Sequence, residues 1–294
     1  MKKIGFIGVG VMGHHMVNNL IKNNYELHLY SRRKESLKEY QQKVACYDNI
    51  KDLCKNVDLI ISCVGYPKDV LEVSEQVLKY AKKDSYYIDM TTSSPSLAEE
   101  IFFKGEKKNI KCFDAPVTGG ELGAKMADLS IFVGGNKEYY SDILEILSSL
   151  GSHIIYCGAA GSGQKAKLAN QIAIAANLIG TAELITFSNH QKLNTFDLLA
   201  IIGSGSASSW QLINNGYKML NHDYKPGFYV KHLLKDLKLA QEEAKKKKLN
   251  LPFLNKYVEI FTKLFQMGYE NGGTQSIIEL YEREEKDENI IEKW

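Results

Sequence analysis

The first half of the chain alternates short apolar runs with stretches whose apolar residues recur every three or four positions. The runs at 3–8, 26–30, 58–64, 86–90, 112–117, 130–134 and 153–157 are rich in Ile, Val, Phe and Tyr and predict β-strands. Between them Met12, Met16 and Leu20 step by four, and Val70, Val73, Val77 and Leu78 share one helical face. This alternation predicts a mostly parallel, doubly wound sheet covered by helices on both faces. After about residue 158 the strand signal stops, and helical spacing takes over at roughly 163–191, 196–203, 206–214, 229–247 and 252–267. The pattern predicts an α/β domain over 1–160 and an all-α domain over 161–294. The joint is where a cleft and its pocket are expected.

Composition narrows the picture. The balance of 37 Lys+Arg against 35 Asp+Glu leaves no global field to favour nucleic acid or an anionic membrane. The run Lys245-Lys246-Lys247-Lys248 reads as a solvated helix face. Residues 172–187 are strongly apolar but too short for a membrane span and carry Glu183. They read as a helix buried between domains or subunits, which implies a homodimer or homotetramer. Glu183 is expected to be a buried partner for a backbone group or another helix. The five cysteines (Cys46, Cys54, Cys63, Cys112 and Cys157) are scattered, without Cys-x-x-Cys or histidines at ligand spacing. They predict reduced thiols in a cytoplasmic protein and no metal site. No signal-peptide pattern precedes the first strand.

The segment Gly8-Val9-Gly10-Val11-Met12-Gly13 follows a predicted strand and opens a predicted helix. There the first glycine allows a tight turn, the second lets backbone approach a pyrophosphate, and the third lets helix pack on strand. The helix N-terminus offers N–H groups to the phosphates. The N-terminal domain is therefore expected to bind a dinucleotide. An NAD site expects an acidic residue after the second strand, where this chain has Ser31-Arg32-Arg33-Lys34. A guanidinium matches a 2′-phosphate, so NADP(H) is the expected cofactor and NAD the lesser alternative.

Two further stretches carry chemistry. In Asp114-Ala115-Pro116-Val117-Thr118-Gly119-Gly120 a strand runs into a hydroxyl and two glycines, a turn suited to a substrate carboxylate. In Gly161-Ser162-Gly163-Gln164-Lys165-Ala166-Lys167-Leu168-Ala169-Asn170, Lys167 and Asn170 stand three apart on one helix face, while Lys165 points roughly the opposite way. A proton-carrying lysine beside an amide that orients an oxygen suits alcohol–carbonyl chemistry. The seven histidines form no triad or ligand pattern. Tyr139, Tyr140, Tyr281 and Trp210 read as packing, with Trp210 able to border the pocket.

Together these segments, with Asp89-Met90-Thr91-Thr92-Ser93-Ser94-Pro95 and Lys235-Asp236-Leu237-Lys238-Leu239-Ala240, resemble the 3-hydroxyisobutyrate dehydrogenase family, the β-hydroxyacid dehydrogenases. The likeness runs along essentially the whole chain in the expected order. It implies an N-terminal Rossmann domain, a helical C-terminal domain and a long inter-domain helix beginning near Lys167. By that likeness Lys167 is the acid/base, Asn170 holds the substrate, and Thr118, Gly119 and Gly120 contact its carboxylate. Thr92 and Lys235 contact the cofactor, with Val64 beside it, and Arg32 stands where NADP-using members commonly have Arg. The chain departs from the family pattern at Ala127-Asp128, usually Gly-Thr, and at Gln171, often Asn.

The expected reaction is hydride transfer between NADP(H) and a small β-hydroxy acid or its semialdehyde, with Lys167 moving the proton. A free lysine has a pKa near 10.4; burial and the oxidised nicotinamide would both disfavour the ammonium. An imine or sugar-acid reductase on the same architecture, or a silent NADP-binding protein, are the alternatives. Methylmalonate, tartronate and succinic semialdehydes and glyoxylate all fit the substrate class.

Overall fold

The structure, a computed structural model, describes residues 3–283. The predicted helical domain therefore extends eleven residues beyond what is described. Up to residue 160 the order is β1 (Ile4–Ile7), α1 (Val11–Lys22), β2 (Leu27–Tyr30), β3 (Ala45–Cys46), α2 (Ile50–Asn56), β4 (Leu59–Ser62) and α3 (Pro67–Tyr80). Then follow β5 (Tyr86–Asp89), α4 (Pro95–Glu106), β6 (Lys111–Asp114), β7 (Val117–Thr118), α5 (Gly120–Met126), β8 (Ser130–Gly135), α6 (Ser141–Ser148) and β9 (His153–Gly158).

All nine strands join one sheet in the order β3-β2-β1-β4-β5-β6-β8, with β7 and β9 also pairing β8. The first six are parallel. Strand β8 runs antiparallel to β6 and β7, and β9 runs parallel to it. Pro116, which has no N–H to give, separates β6 from β7, although its carbonyl still accepts from Phe132 N–H (3.1 Å). Two-residue β3 and β7 are too short to show a period and were not expected from the sequence.

Side-chain alternation builds the two cores. Ile4 and Phe6, Leu59 and Ile61, and Tyr86 and Ile88 pack on one face against Met16, Val17 and Leu20 of α1. Ile7, Ile60 and Tyr87 point the other way, against Leu53 of α2 and Val70, Val73 and Val77 of α3. Gly5 keeps that face flat, since a Cβ there would stand 2.5 Å from Leu53. The sheet reverses its winding between β1 and β4, where ligands bind in doubly wound folds.

Beyond residue 160 come α7 (Ser162–His190), α8 (Thr195–Gly203), α9 (Trp210–Leu220), α10 (Val230–Lys246) and α11 (Pro252–Leu264). The described residues form two compact units that divide after Lys167, inside α7. By length and composition alone α7 could cross a membrane. Yet Ala175, Leu178, Ala182 and Ile185 are buried in the second unit's own core, with Leu233 and Leu237 of α10 and Phe261 of α11.

Four expectations need correction. Helix α9 starts at Trp210 and not at 206, because the Ser209 hydroxyl caps it by accepting from Leu212 N–H (3.0 Å). Helix α11 stops at Leu264, and the wider turn that follows breaks at Gly268 (φ 91°). Glu183 is exposed, not buried, and accepts from the Tyr281 hydroxyl (3.2 Å). Trp210 is 60 % exposed, so it packs little. The four lysines 245–248 are exposed at the end of α10, where they complement the helix dipole.

Candidate active site

Two glycines are required by close backbone approach at the end of β1. Gly8 has φ 102°, and a Cβ there would lie 2.2 Å from Cys63 O. A Cβ on Gly13 would lie 2.1 Å from Gly8 O. Gly10 differs: its Cβ would meet only Arg33 Nη2, at 3.7 Å. It begins α1 with no side-chain cap and no acidic residue in the first turn. A groove of about 560 Å³ opens here, lined by Val9, Gly10, Val11, His14 and Arg33 among others. Room over Gly10, uncapped amides and a guanidinium suit a diphosphate. Met12 tucks into the core behind the turn.

After β2, Ser31 is buried and accepts from the Ser36 hydroxyl (3.0 Å), while Arg32 and Arg33 are exposed. The Arg32 guanidinium already has a carboxylate, Asp69 of α3, at 3.0 Å. Asp69 in turn accepts from Tyr66 N–H (3.1 Å) at the start of α3. Lys34 pairs with Asp48.

The ends of β4 and β5 are tied through buried polar groups. Ser62 Oγ donates to Asp89 Oδ1 (2.8 Å), so the Tyr87 hydroxyl, 2.9 Å from Ser62, is the donor in their contact. Thr91 N–H also reaches Asp89 Oδ1 (3.2 Å), and Val64 N–H donates to Thr91 Oγ1 (2.9 Å). Val64 and half-buried Thr92 thus belong to one braced pair of turns. Ser93 Oγ, in the same turn, is buried and among the described residues has no hydrogen-bond partner.

The start of α7 is held by Asp114. Its carboxylate accepts from Gly161 N–H and Gln164 N–H, each at 2.8 Å. Burial pushes this carboxyl up to about 7; the two N–H donors oppose the rise, and the charge of Asp89 adds to it. The approach is close enough that a Cβ on Gly163 would stand 2.6 Å from Asp114 O. Gln164 Nε2 donates to Thr91 O (2.7 Å), and Gln164 Oε1 accepts from Ser93 N–H (2.8 Å). One turn further, Lys167 is only 5 % exposed. Lys165 lies on the surface, paired with Glu99 at 2.7 Å.

Thr118 closes β7, and Gly119 (φ 128°) and Gly120 (φ 63°) turn the chain into α5. Both glycines hold backbone that other residues rarely adopt. Helix α5 ends at Met126 and is capped by Ala127, a non-glycine in the left-handed region (φ 56°). Asp128, exposed, accepts from the Ser152 hydroxyl.

In the second unit Asn170 Nδ2 donates to Gln171 Oε1 (2.8 Å), and Gln171 Nε2 donates to Asp236 Oδ2 (2.7 Å). Asp236 is buried, with the Lys235 ammonium 3.1 Å from its other oxygen. Burial and the Lys235 charge push His232, on the same helix, down to about 4. His222, Glu279 and Glu282 also converge within 4.8 Å. Glu279 there is answered by the Tyr224 hydroxyl (2.6 Å) and by Arg283 (3.9 Å), an ion-pair network.

Residues 3–158 match the family model described as the NAD binding domain of 6-phosphogluconate dehydrogenase. Residues 161–281 match that described as the NAD-binding segment of NADP-dependent 3-hydroxyisobutyrate dehydrogenase. An uncharacterised oxidoreductase of Bacillus subtilis is 44 % identical over 284 residues, covering 95 % of this chain and 99 % of the relative. The mitochondrial 3-hydroxyisobutyrate dehydrogenase of Rattus norvegicus is 33 % identical over 297 residues, covering 96 % and 88 %. The chain belongs to the 3-hydroxyisobutyrate dehydrogenase family. Its fold superposes on the 3-hydroxyisobutyrate dehydrogenase of Mycobacterium tuberculosis with a TM-score of 0.88 at 26 % identity, covering 95 % of this chain and 99 % of that one.

As a member of the 3-hydroxyisobutyrate dehydrogenase family it is an NAD(P)-dependent oxidoreductase of the hydroxyacid dehydrogenase type, acting on CH–OH groups of small molecules. Three participants escaped the reading of the sequence: Asp69 beside Arg32, Asp114 with Gln164 at the start of α7, and Asp236 behind Gln171. All three act through partners distant along the chain. Only the clustering of Asp114 and Gln164 inside glycine-bearing segments could have flagged any of them.

Proposed function

We propose that the chain is an NADP(H)-preferring dehydrogenase of a small β-hydroxy acid, or reductase of the matching semialdehyde. The observation that carries this reading is the buried lysine one turn into α7, three residues before Asn170. On this reading Gly8, Gly10, Val11, Met12 and Gly13 seat the diphosphate. Ser31, Arg32 and Arg33 face the 2′-phosphate, while Val64, Thr92 and Lys235 flank the nicotinamide. Bound nicotinamide supplies or accepts the hydride.

Lys167 then donates a proton to the alkoxide oxygen in the reductive direction and takes it back in oxidation. Asn170, its amide N–H engaged by Gln171, orients the substrate oxygen without adding charge. Thr118, Gly119 and Gly120 receive the carboxylate. Phe187, Ile201 and Ile213 lie exposed on the helices of the second unit and support a homodimer or homotetramer. Scattered free thiols support work in the cytoplasm.

The test is NADPH oxidation with methylmalonate, tartronate and succinic semialdehydes and glyoxylate, and NADP⁺ reduction with the matching acids. Lys167→Ala should lower kcat by about 10²–10⁴-fold and leave NADPH binding intact. Near wild-type turnover, or a larger loss in Lys165→Ala, overturns the reading.

A further inference from the structure

The buried amide of Gln164 has no part in the reading above. Gln164 is 0 % exposed and stands on the first turn of α7, three residues before Lys167, so the two side chains leave the helix on one face. Both ends of its amide are committed to a single stretch of backbone, Thr91 O on one side of Thr92 and Ser93 N–H on the other. Its own N–H is anchored on Asp114. The stretch it grips is tied onward, because Thr91 Oγ1 accepts from Val64 N–H and Thr91 N–H reaches Asp89. One side chain therefore links the helix bearing Lys167 to both turns that carry Val64 and Thr92.

An ordinary loop-closing amide would explain the two hydrogen bonds. It would not explain why they come from the turn immediately ahead of the buried lysine, on the lysine's own face. We propose that Gln164 is a positioning residue that registers the Lys167 amine against the 91–93 turn and so sets the spacing between proton donor and hydride donor. The proposal rests on the assignment of Lys167 as acid/base. Proton and hydride must reach adjacent atoms of one carbonyl, so a misplacement of about 1 Å costs up to about 100-fold in rate.

The test compares Gln164→Met, Gln164→Glu and Lys167→Ala in the full chain, using the fastest substrate of the panel. Gln164→Met keeps the length and loses both hydrogen bonds. It should leave the NADPH dissociation constant within about twofold, while kcat falls about 10- to 100-fold. The deuterium isotope effect on kcat with 4-deuterated NADPH should rise as hydride transfer becomes limiting. Gln164→Glu keeps an acceptor for Ser93 N–H but faces Thr91 O with a carboxylate. Protonation restores an O–H donor, so its kcat relative to wild type should recover as pH falls. Asp89, Asp114 and Lys167 face the same turn in both Gln164 variants, and Gln164→Met, which adds no ionisable group there, supplies the reference that should show no such recovery.

If Gln164→Met does not fold, the pH dependence of the Gln164→Glu ratio decides. Wild-type kcat in Gln164→Met, a lowered kcat with an unchanged isotope effect, or a flat Gln164→Glu ratio overturns the proposal while Lys167→Ala is inactive. An active Lys167→Ala instead removes the reading beneath it.

Discussion

Replacing Asp114 with Asn separates the charge of a buried carboxylate from its shape. In the folded protein burial lifts this carboxyl from its ordinary 3.8 to about 7. A folded-state pKa above the unfolded one means that the folded chain holds the proton more tightly. The stability from this group is therefore full below pH about 4 and is lost as pH rises through 7. The rise corresponds to roughly 4 kcal/mol in total, more than half of it lost between pH 5 and 7.5. Asparagine cannot titrate. It also leaves one of the Gly161 and Gln164 N–H groups facing an amide NH₂, at a pH-independent cost of about 1–3 kcal/mol. Urea unfolding of both proteins at pH 5 and pH 7.5, followed by far-UV circular dichroism, gives the difference of differences, from which all other titrating groups cancel. The disadvantage of Asp114→Asn should shrink by about 2–3 kcal/mol at the higher pH. A gap that stays constant, or widens, would show that the two N–H donors outweigh desolvation and that the carboxylate is charged throughout.

Arg32→Ala should lower kcat/KM for NADPH by about 10- to 100-fold, the worth of a charge-assisted phosphate contact, and change NADH less than about twofold. Equal losses with both cofactors would refute the 2′-phosphate assignment. Ala127→Gly relieves a left-handed residue (φ 56°) and should stabilise the fold by up to about 1 kcal/mol after the added unfolded-chain entropy, as read by urea unfolding. A clear destabilisation would refute that strain.

Much of this was legible because it is local. The short apolar runs became β1, β2, β4, β5, β6, β8 and β9, and the glycine turn between β1 and α1 formed where expected, with Gly8 and Gly13 held by close backbone approach. Helical spacing also singled out Lys167 over Lys165, and the structure buries the first and exposes the second. What stayed hidden is pairwise and distant. Arg32 and Asp69 are 37 residues apart, and Asp114 meets Gly161 across 47. Nothing in the local pattern marks Asp69 as different from a solvated aspartate. The burial of Glu183 was misjudged for a related reason, since an apolar helix has an outer side whose direction the hydropathy alone does not reveal.

Helix α7 is clamped at its beginning and spans 29 residues, about 44 Å of rod. Leverage along such a rod is uneven. If it tilts by about 10° about the Asp114 anchor, His190 at the far end swings by about 7 Å, whereas Lys167, about 4.5 Å from Gln164 along the axis, moves by less than about 1 Å. Placing the amine beside the fulcrum insulates it from bending and breathing of the long helical arm.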